Sequence, residues 1–337
     1  PRDTLAACAS TTRPTRLAPL SLPAAESLRV DTIGPGLIHY DLWSSRGPWA
    51  IQLLDADRTC WAAVALKAGG QAIGRAPARA LVQALADTSR LRVGGGMNAD
   101  FFAFDPPGIT IGPHVAGGRV ISGPFSRPVL AFDAAGVPWT GVLAVHGWVR
   151  IGADSLPLGA WNQRRMSGLR LFDRNWGAFT DSASGTVELA IGGEPARVIA
   201  IDTTSAGTAI AEGGIVLIAD STAPASVRAR LRAALVGERV AWRVWLTPSR
   251  PAEAVGGFPV LVTDSVPATD LDAAGGARFG PVRHPRTAVG IAVGATVVAM
   301  IPLTTMRISS TGTHGAACTT TSSSASARVS ATRSPAV

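Results

Sequence analysis

From Asp31 to Met300 the chain is cut into short apolar runs by glycine, proline, asparagine and aspartate, and this punctuation constrains the fold more than any other feature. Runs of five to nine residues bounded by turn formers are too short for ordinary helices and suit strands. Candidate strands are WAIQLLDA (49–56), CWAAVALK (60–67), RPVLAF (127–132), WTGVLAV (139–145), VELAI (187–191), GIVLIA (214–219), ERVAWRVWL (238–246) and the pair TAVGIAV and TVVAMI. Asp133-Ala134-Ala135-Gly136 and Gly294-Ala295 fall where hairpin turns belong, and Val240, Trp242 and Val244 share one face of a half-buried strand. Two stretches read as helices, Pro77 to Ala86 and Pro224 to Val236, each with proline in the first turn, where its missing N–H costs nothing. The predicted class is α+β: a mixed, largely antiparallel β-sheet core with a few short helices, lacking the strand–helix alternation of a doubly wound fold.

A chain of 337 residues with 47% hydrophobic and 16% charged residues has enough apolar surface to order most of its length. Its longest mostly apolar run, Ala288 to Leu303, is interrupted by Gly290, Gly294 and Pro302 and falls short of the ~20 residues a membrane span needs. The net charge of +8 suggests nucleic acid until it is located. Six of those charges (Arg278, Arg283, Arg286, Arg307, Arg328, Arg333) follow Asp272, the last acid, so the charge reads as an excess at one end rather than as a basic stripe interleaved with aromatics. Nucleic acid is therefore not an expected partner. Lys67 is the sole lysine against 30 arginines, a bias that a GC-rich coding sequence produces, so arginine excess is not by itself phosphate recognition.

The ends differ from the middle. Residues 1–30 read as a linker or lipoprotein-type tether: LAACAS resembles a lipobox in which Cys8 would be lipidated and attach the protein to a membrane, although no hydrophobic stretch precedes it. Residues 301–337 hold 16 Ser or Thr and no acid or aromatic, and show no apolar period of 2 or 3.6. They read either as a disordered Ser/Thr-rich stalk or as the product of a reading-frame slip near Met300. Cys8, Cys60 and Cys318 offer no metal spacing and no CxxC pair, so neither a metal nor a cofactor is expected, and Cys60 reads as a small core residue.

Two segments carry chemistry. In VGGGMNADFFAFDPPGITIG (Val93 to Gly112), three glycines allow close approach of the backbone, and an extended chain would project Asn98 and Asp100 from one face with Phe101 and Phe102 packed beneath. An amide beside a carboxylate suits sugar hydroxyls or a water nucleophile; an Asn/Asp turn explains the same spacing. In RHPRTAVGI (Arg283 to Ile291), His284, Arg286 and Thr287 precede an apolar strand and could hold a phosphate or carboxylate, or simply be surface groups beside a proline turn.

The order GGGMNADFFAFDPPGITI, GPFSRPVLAFDAAGVPW, AVGGFPVLVTDS and RHPRTAVGIAV resembles the phosphodiester glycosidase domain family over roughly Asp31 to Met300. That resemblance implies a domain over 31–300 that hydrolyses a sugar from a glycosyl phosphodiester outside the bacterial cytoplasm, periplasmic, secreted or lipid-anchored. It implies catalytic roles for Asp100, Asn98 and His284, and substrate contacts from Arg286, Thr287, Arg127 and Asp264, which is followed here by Ser265 where the family often has glycine. The family continues past the RTAVGI strand into a helix and a Gly/Ser-rich loop that this chain lacks, so the domain reads as C-terminally incomplete, and its activity stays open. A non-catalytic extracytoplasmic protein that binds a glycan or anion is the alternative.

Overall fold

The computed structural model describes residues 27–45, 49–89, 91–123, 126–164, 167–181, 185–204, 206–269, 285–292, 296–303 and 325–331. Strands dominate. In chain order they begin with β1 (Ser27–Gly34), β2 (Leu37–Ser44), β3 (Trp49–Asp57), β4 (Trp61–Lys67) and β5 (Val93–Ala99). The short strands β6 (Phe102–Phe104), β7 (Pro107–Thr110), β8 (His114–Ala116) and β9 (Arg119–Ser122) follow. Next come β10 (Arg127–Phe132), β11 (Pro138–Ile151), β12 (Asp154–Trp161), β13 (Leu169–Phe172), β14 (Val187–Gly192), β15 (Arg197–Asp202), β16 (Ile215–Ala219) and β17 (Val240–Thr247). The last are β18 (Glu253–Gly256), β19 (Val262–Thr263), β20 (Val266–Pro267), β21 (Ala288–Ala292), β22 (Thr296–Leu303) and β23 (Ala325–Ala331). The two α-helices among the described residues are Ala78–Thr88 and Ala225–Arg232, and neither is long and apolar enough to cross a membrane.

The large sheet runs β15-β14-β16-β13-β12-β11-β10-β18-β8-β9, with β17 also pairing β11. Its pairings are antiparallel except β12 with β13. A five-stranded sheet, β1-β2-β3-β22-β21, and a three-stranded one, β4-β23-β5, complete the scaffold, with hairpins β6–β7 and β19–β20. The architecture is thus β-rich and mixed, with few helices.

The sequence explains the driest part. GIVLIA is a continuous apolar run and VELAI one interrupted by Glu188, and every residue of both is buried, as in strands covered on both faces. Leu171, Leu189, Leu217 and Leu231 meet there at zero exposure, Leu231 arriving from the second helix. That helix ends at Arg232 rather than Val236, leaving Leu235 and Val236 exposed. The turn at Asp133 forms as its residues suggest: Asp133 Oδ1 accepts from the N–H groups of Ala135 and Val137, joining β10 to β11. Gly294-Ala295 lies outside the described residues.

Part of the stretch expected to stay unpacked is a strand. Ala325–Ala331 lies between β4 and β5. Its sequence, ASARVSA, alternates small apolar residues with Ser and Arg, a short period of two inside a segment that lacks one overall.

Candidate functional site

Asp100 sits one residue past β5, and its φ of 51° takes the backbone out of the extended conformation. Left-handed geometry is uncommon for a residue with a Cβ and marks a local constraint. The constraint is visible: the Asp100 N–H donates to the Gly256 carbonyl at 3.1 Å, while its carboxylate accepts from the N–H of Phe101 at 2.7 Å and of Gly112 at 3.0 Å. Two glycines make room for the carboxylate. A Cβ on Gly256 would lie 2.6 Å from Asp100 Oδ2, and one on Gly112 would lie 3.0 Å from it.

Because the extended run stops at Ala99, the alternation that would set Asn98 and Asp100 on one face does not reach Asp100. The phenylalanines do not pack beneath either. Phe101 is 38% exposed and Phe104 77%, and half-buried Phe102 stands beside Phe104 with the Arg75 guanidinium over its ring. The glycine run has a packing role: a Cβ on Gly94 would strike Leu37 and Trp61, and one on Gly95 would meet Leu54. Bulky side chains press on this strand, and glycine is what admits them.

Two cations act on Asp100. Lys67, at the end of β4, is buried because Trp61, Ala65 and Lys67 share the inward face of that strand, and its Nζ donates to the Gly108 carbonyl. Arg127, the first residue of β10, lies with its guanidinium 5.6 Å from the centre of the Phe258 ring. Burial pushes the Asp100 carboxyl up to about 7, against the backbone donors at Phe101 and Gly112 and the charges of Arg127 and Lys67, which hold it down. Burial likewise brings Lys67 down to about 8, opposed by the Asp100 charge. A third buried group, His114 on β8, is brought down to about 3 by burial and the Lys67 charge; it is 1% exposed and neither ring nitrogen has a hydrogen-bond partner. Glu253 has a structural part: its carboxylate accepts from the N–H groups of Ala65 and Gly117, tying the free edge of β4 to β18.

Arg286 and Thr287 are half-buried immediately before β21. Val289 and Ile291 of that strand pack on the apolar cluster that also takes Ala65 and Ala99, so the fold brings the RTAVGI stretch to the neighbourhood of β4 and β5. Asp264 is exposed at the tip of the β19–β20 hairpin. Asp264 and Ser265 have φ of 49° and 65°, the paired positive values of a type I′ turn, which asparagine, aspartate and glycine favour. His284 and Cys8 lie outside the described residues. Among the described residues no cluster of His, Cys, Asp and Glu has metal-binding geometry. Cys60 is both buried in the core and disulfide-bonded, its partner lying outside the described residues.

Sequence reasoning missed Lys67 and His114. Lys67 stands out in the sequence only as the sole lysine beside 30 arginines, which GC-rich coding explains as well.

No protein-family model matches the chain, and no curated protein matches it. A hypothetical protein from Synechocystis, known from its crystal structure, is similar in fold, with a TM-score of 0.68 at 18% identity over 82% of this chain. This chain spans about half of that one, 52% of its length. At that identity the likeness concerns the fold alone.

Proposed function

We propose that Asp100 is the acid–base centre of a phosphodiester glycosidase-like α+β domain, one that cleaves a sugar from a glycosyl phosphodiester. The observation that carries the reading is a carboxylate seated against Gly112 and Gly256, acted on by the charges of Lys67 and Arg127, whose proton affinity burial pushes up to about 7. A carboxyl with that affinity for protons gives or takes one readily at neutral pH, and a neighbouring pair of cations suits a phosphate. In the reaction, a water oxygen bonds to the anomeric carbon as the bond from that carbon to the phosphate oxygen breaks. The water proton passes to the Asp100 carboxylate, and the bond's electron pair leaves on the phosphate monoester, a stable anion that needs no protonation. Lys67 and Arg127 hold that anion, with Arg286 and Thr287 as further phosphate contacts and Asn98 as a sugar contact.

The disulfide at Cys60 supports an extracytoplasmic location, since such bonds persist in oxidising compartments; attachment through Cys8 belongs to the same proposal.

The test is turnover of a glycosyl phosphodiester by the full chain, with the released phosphate monoester measured through a coupled phosphatase. As a base, Asp100 acts when deprotonated, and Lys67 holds the phosphate when protonated. The rate therefore rises through about pH 7 and falls above about pH 8, and Asp100→Asn lowers it by roughly 10²–10⁴-fold. Affinity for the substrate without release of product would identify the chain as a binding protein instead.

A further inference from the structure

The pairing of β11 with β17 assembles a face on which basic and aromatic side chains alternate. In this register His146 lies opposite Trp245, and Trp148 opposite Arg243. Residues two apart on a strand share a face, so His146, Trp148 and Arg150 on β11 stand beside Trp245 and Arg243 on β17. The opposite face of β11 is the buried one, carrying Val149 and Ile151 at zero exposure. His146 stacks on Trp245 with ring centres 5.5 Å apart and planes 20° from parallel, and its Nε2 pairs with Thr247 Oγ1 at 2.8 Å.

The two guanidiniums of this face lie over indoles: Arg150 is 5.9 Å from the centre of Trp148 and Arg243 is 5.9 Å from that of Trp245. Nor does the β12 side supply an acid, since Trp148 and Arg150 face Pro157 and Ser155 there. Cation–ring contacts at an exposed surface contribute little to folding, about 0.5–1 kcal/mol each. They do hold flat rings and positive charge in a fixed alternation on a rigid sheet.

We infer that the outer face of β11 and β17 is a binding surface for a linear acidic glycan, separate from the Asp100 centre. Sugar rings lie against Trp148 and Trp245, and carboxylates along the glycan pair with Arg150 and Arg243. Charge complementarity favours this occupant over a nucleic acid. Single-stranded nucleic acid is held by a groove whose cations track the phosphates while aromatics take the bases, whereas here each guanidinium lies over an indole, which suits a residue that carries its ring and its carboxylate together. The Cys60 disulfide points to a compartment where glycans, rather than nucleic acids, are met.

The surface is independent of the proposed hydrolysis and is tested separately, by calorimetric titration of the full chain with an oligogalacturonate, a neutral maltooligosaccharide and an oligo-dT. The expected result is tighter binding of the oligogalacturonate than of the other two, weakening as salt rises. Trp148→Ala and Trp245→Ala each reduce affinity about tenfold. Arg150→Gln with Arg243→Gln, both exposed and losing only weak contacts with the indoles, removes the salt dependence and lowers the unfolding temperature of the protein little. Asp100→Asn leaves the affinity unchanged. Equal binding by wild type and the Arg double variant overturns the inference, as does tighter binding of oligo-dT, absence of binding, or loss of binding in Asp100→Asn.

Discussion

The layer around β13, β14 and β16 and the layer where β4, β5 and β8 end lie in one chain but obey opposite rules. The first is filled mainly with leucine, valine and isoleucine, and its buried charged groups are paired: Glu188 accepts from Thr180 Oγ1 at 2.6 Å, and Arg170 of β13 donates to Asp220 Oδ2 at 2.6 Å. The second gathers Lys67, Asp100 and His114, and leaves the His114 ring nitrogens without partners. Burying a polar group without a partner costs about 1–3 kcal/mol, and a charge costs more. A fold able to build the first layer had the means to build the second of the same material. That it did not is the physical argument for the chemistry proposed at Asp100.

The contrast gives graded expectations. Leu171→Ala in the sealed layer leaves a cavity and lowers stability by about 2–5 kcal/mol, read by denaturant unfolding. Gly256→Ala sets a methyl group where the Asp100 carboxylate lies; overpacking costs about 1–3 kcal/mol, and the proposed hydrolysis is lost as the carboxylate is displaced. If Gly256→Ala kept full activity, the two-glycine seat would have no functional part.

Asp100→Asn acts through pH. The folded carboxyl binds its proton more tightly than the unfolded one, so its contribution to stability is fully present below about pH 4, the unfolded value, and is lost as pH rises through about 7. The variant removes this decline between pH 4 and 7. It also withdraws the charge that holds the Lys67 ammonium up, so Lys67 falls below about 8. The smallest effect belongs to Arg127→Gln. Without that guanidinium the Asp100 carboxyl rises above about 7, and the ascending limb of the rate profile moves to higher pH.

The sealed layer was legible because its information is local: GIVLIA is apolar throughout, VELAI is apolar but for Glu188, and the Asp133 turn carries its own hydrogen-bonding residue. Asp100 was legible too, though for an incomplete reason. The alternation of Asn98 with Asp100 drew attention to the segment, but the seat itself comes from Gly256, 156 positions away in the sequence. Lys67 and His114 were not seen because nothing beside them in sequence is unusual; burial by distant strands gives them their character. The indole and guanidinium face was hidden for the same reason, its halves lying on β11 and β17. Strand β23 was overlooked because serine and alanine alternate too weakly to stand out from the surrounding Ser/Thr tract.

The central claim is that Asp100 holds its proton into the neutral range, and carbon-13 NMR of labelled aspartate carboxyls tests it most directly, with Asp100→Asn identifying the resonance. The account predicts a single aspartate titrating at about 7 and missing from the variant. A resonance assigned to Asp100 that titrates near 4, with the ordinary solvent-exposed aspartates, would contradict it.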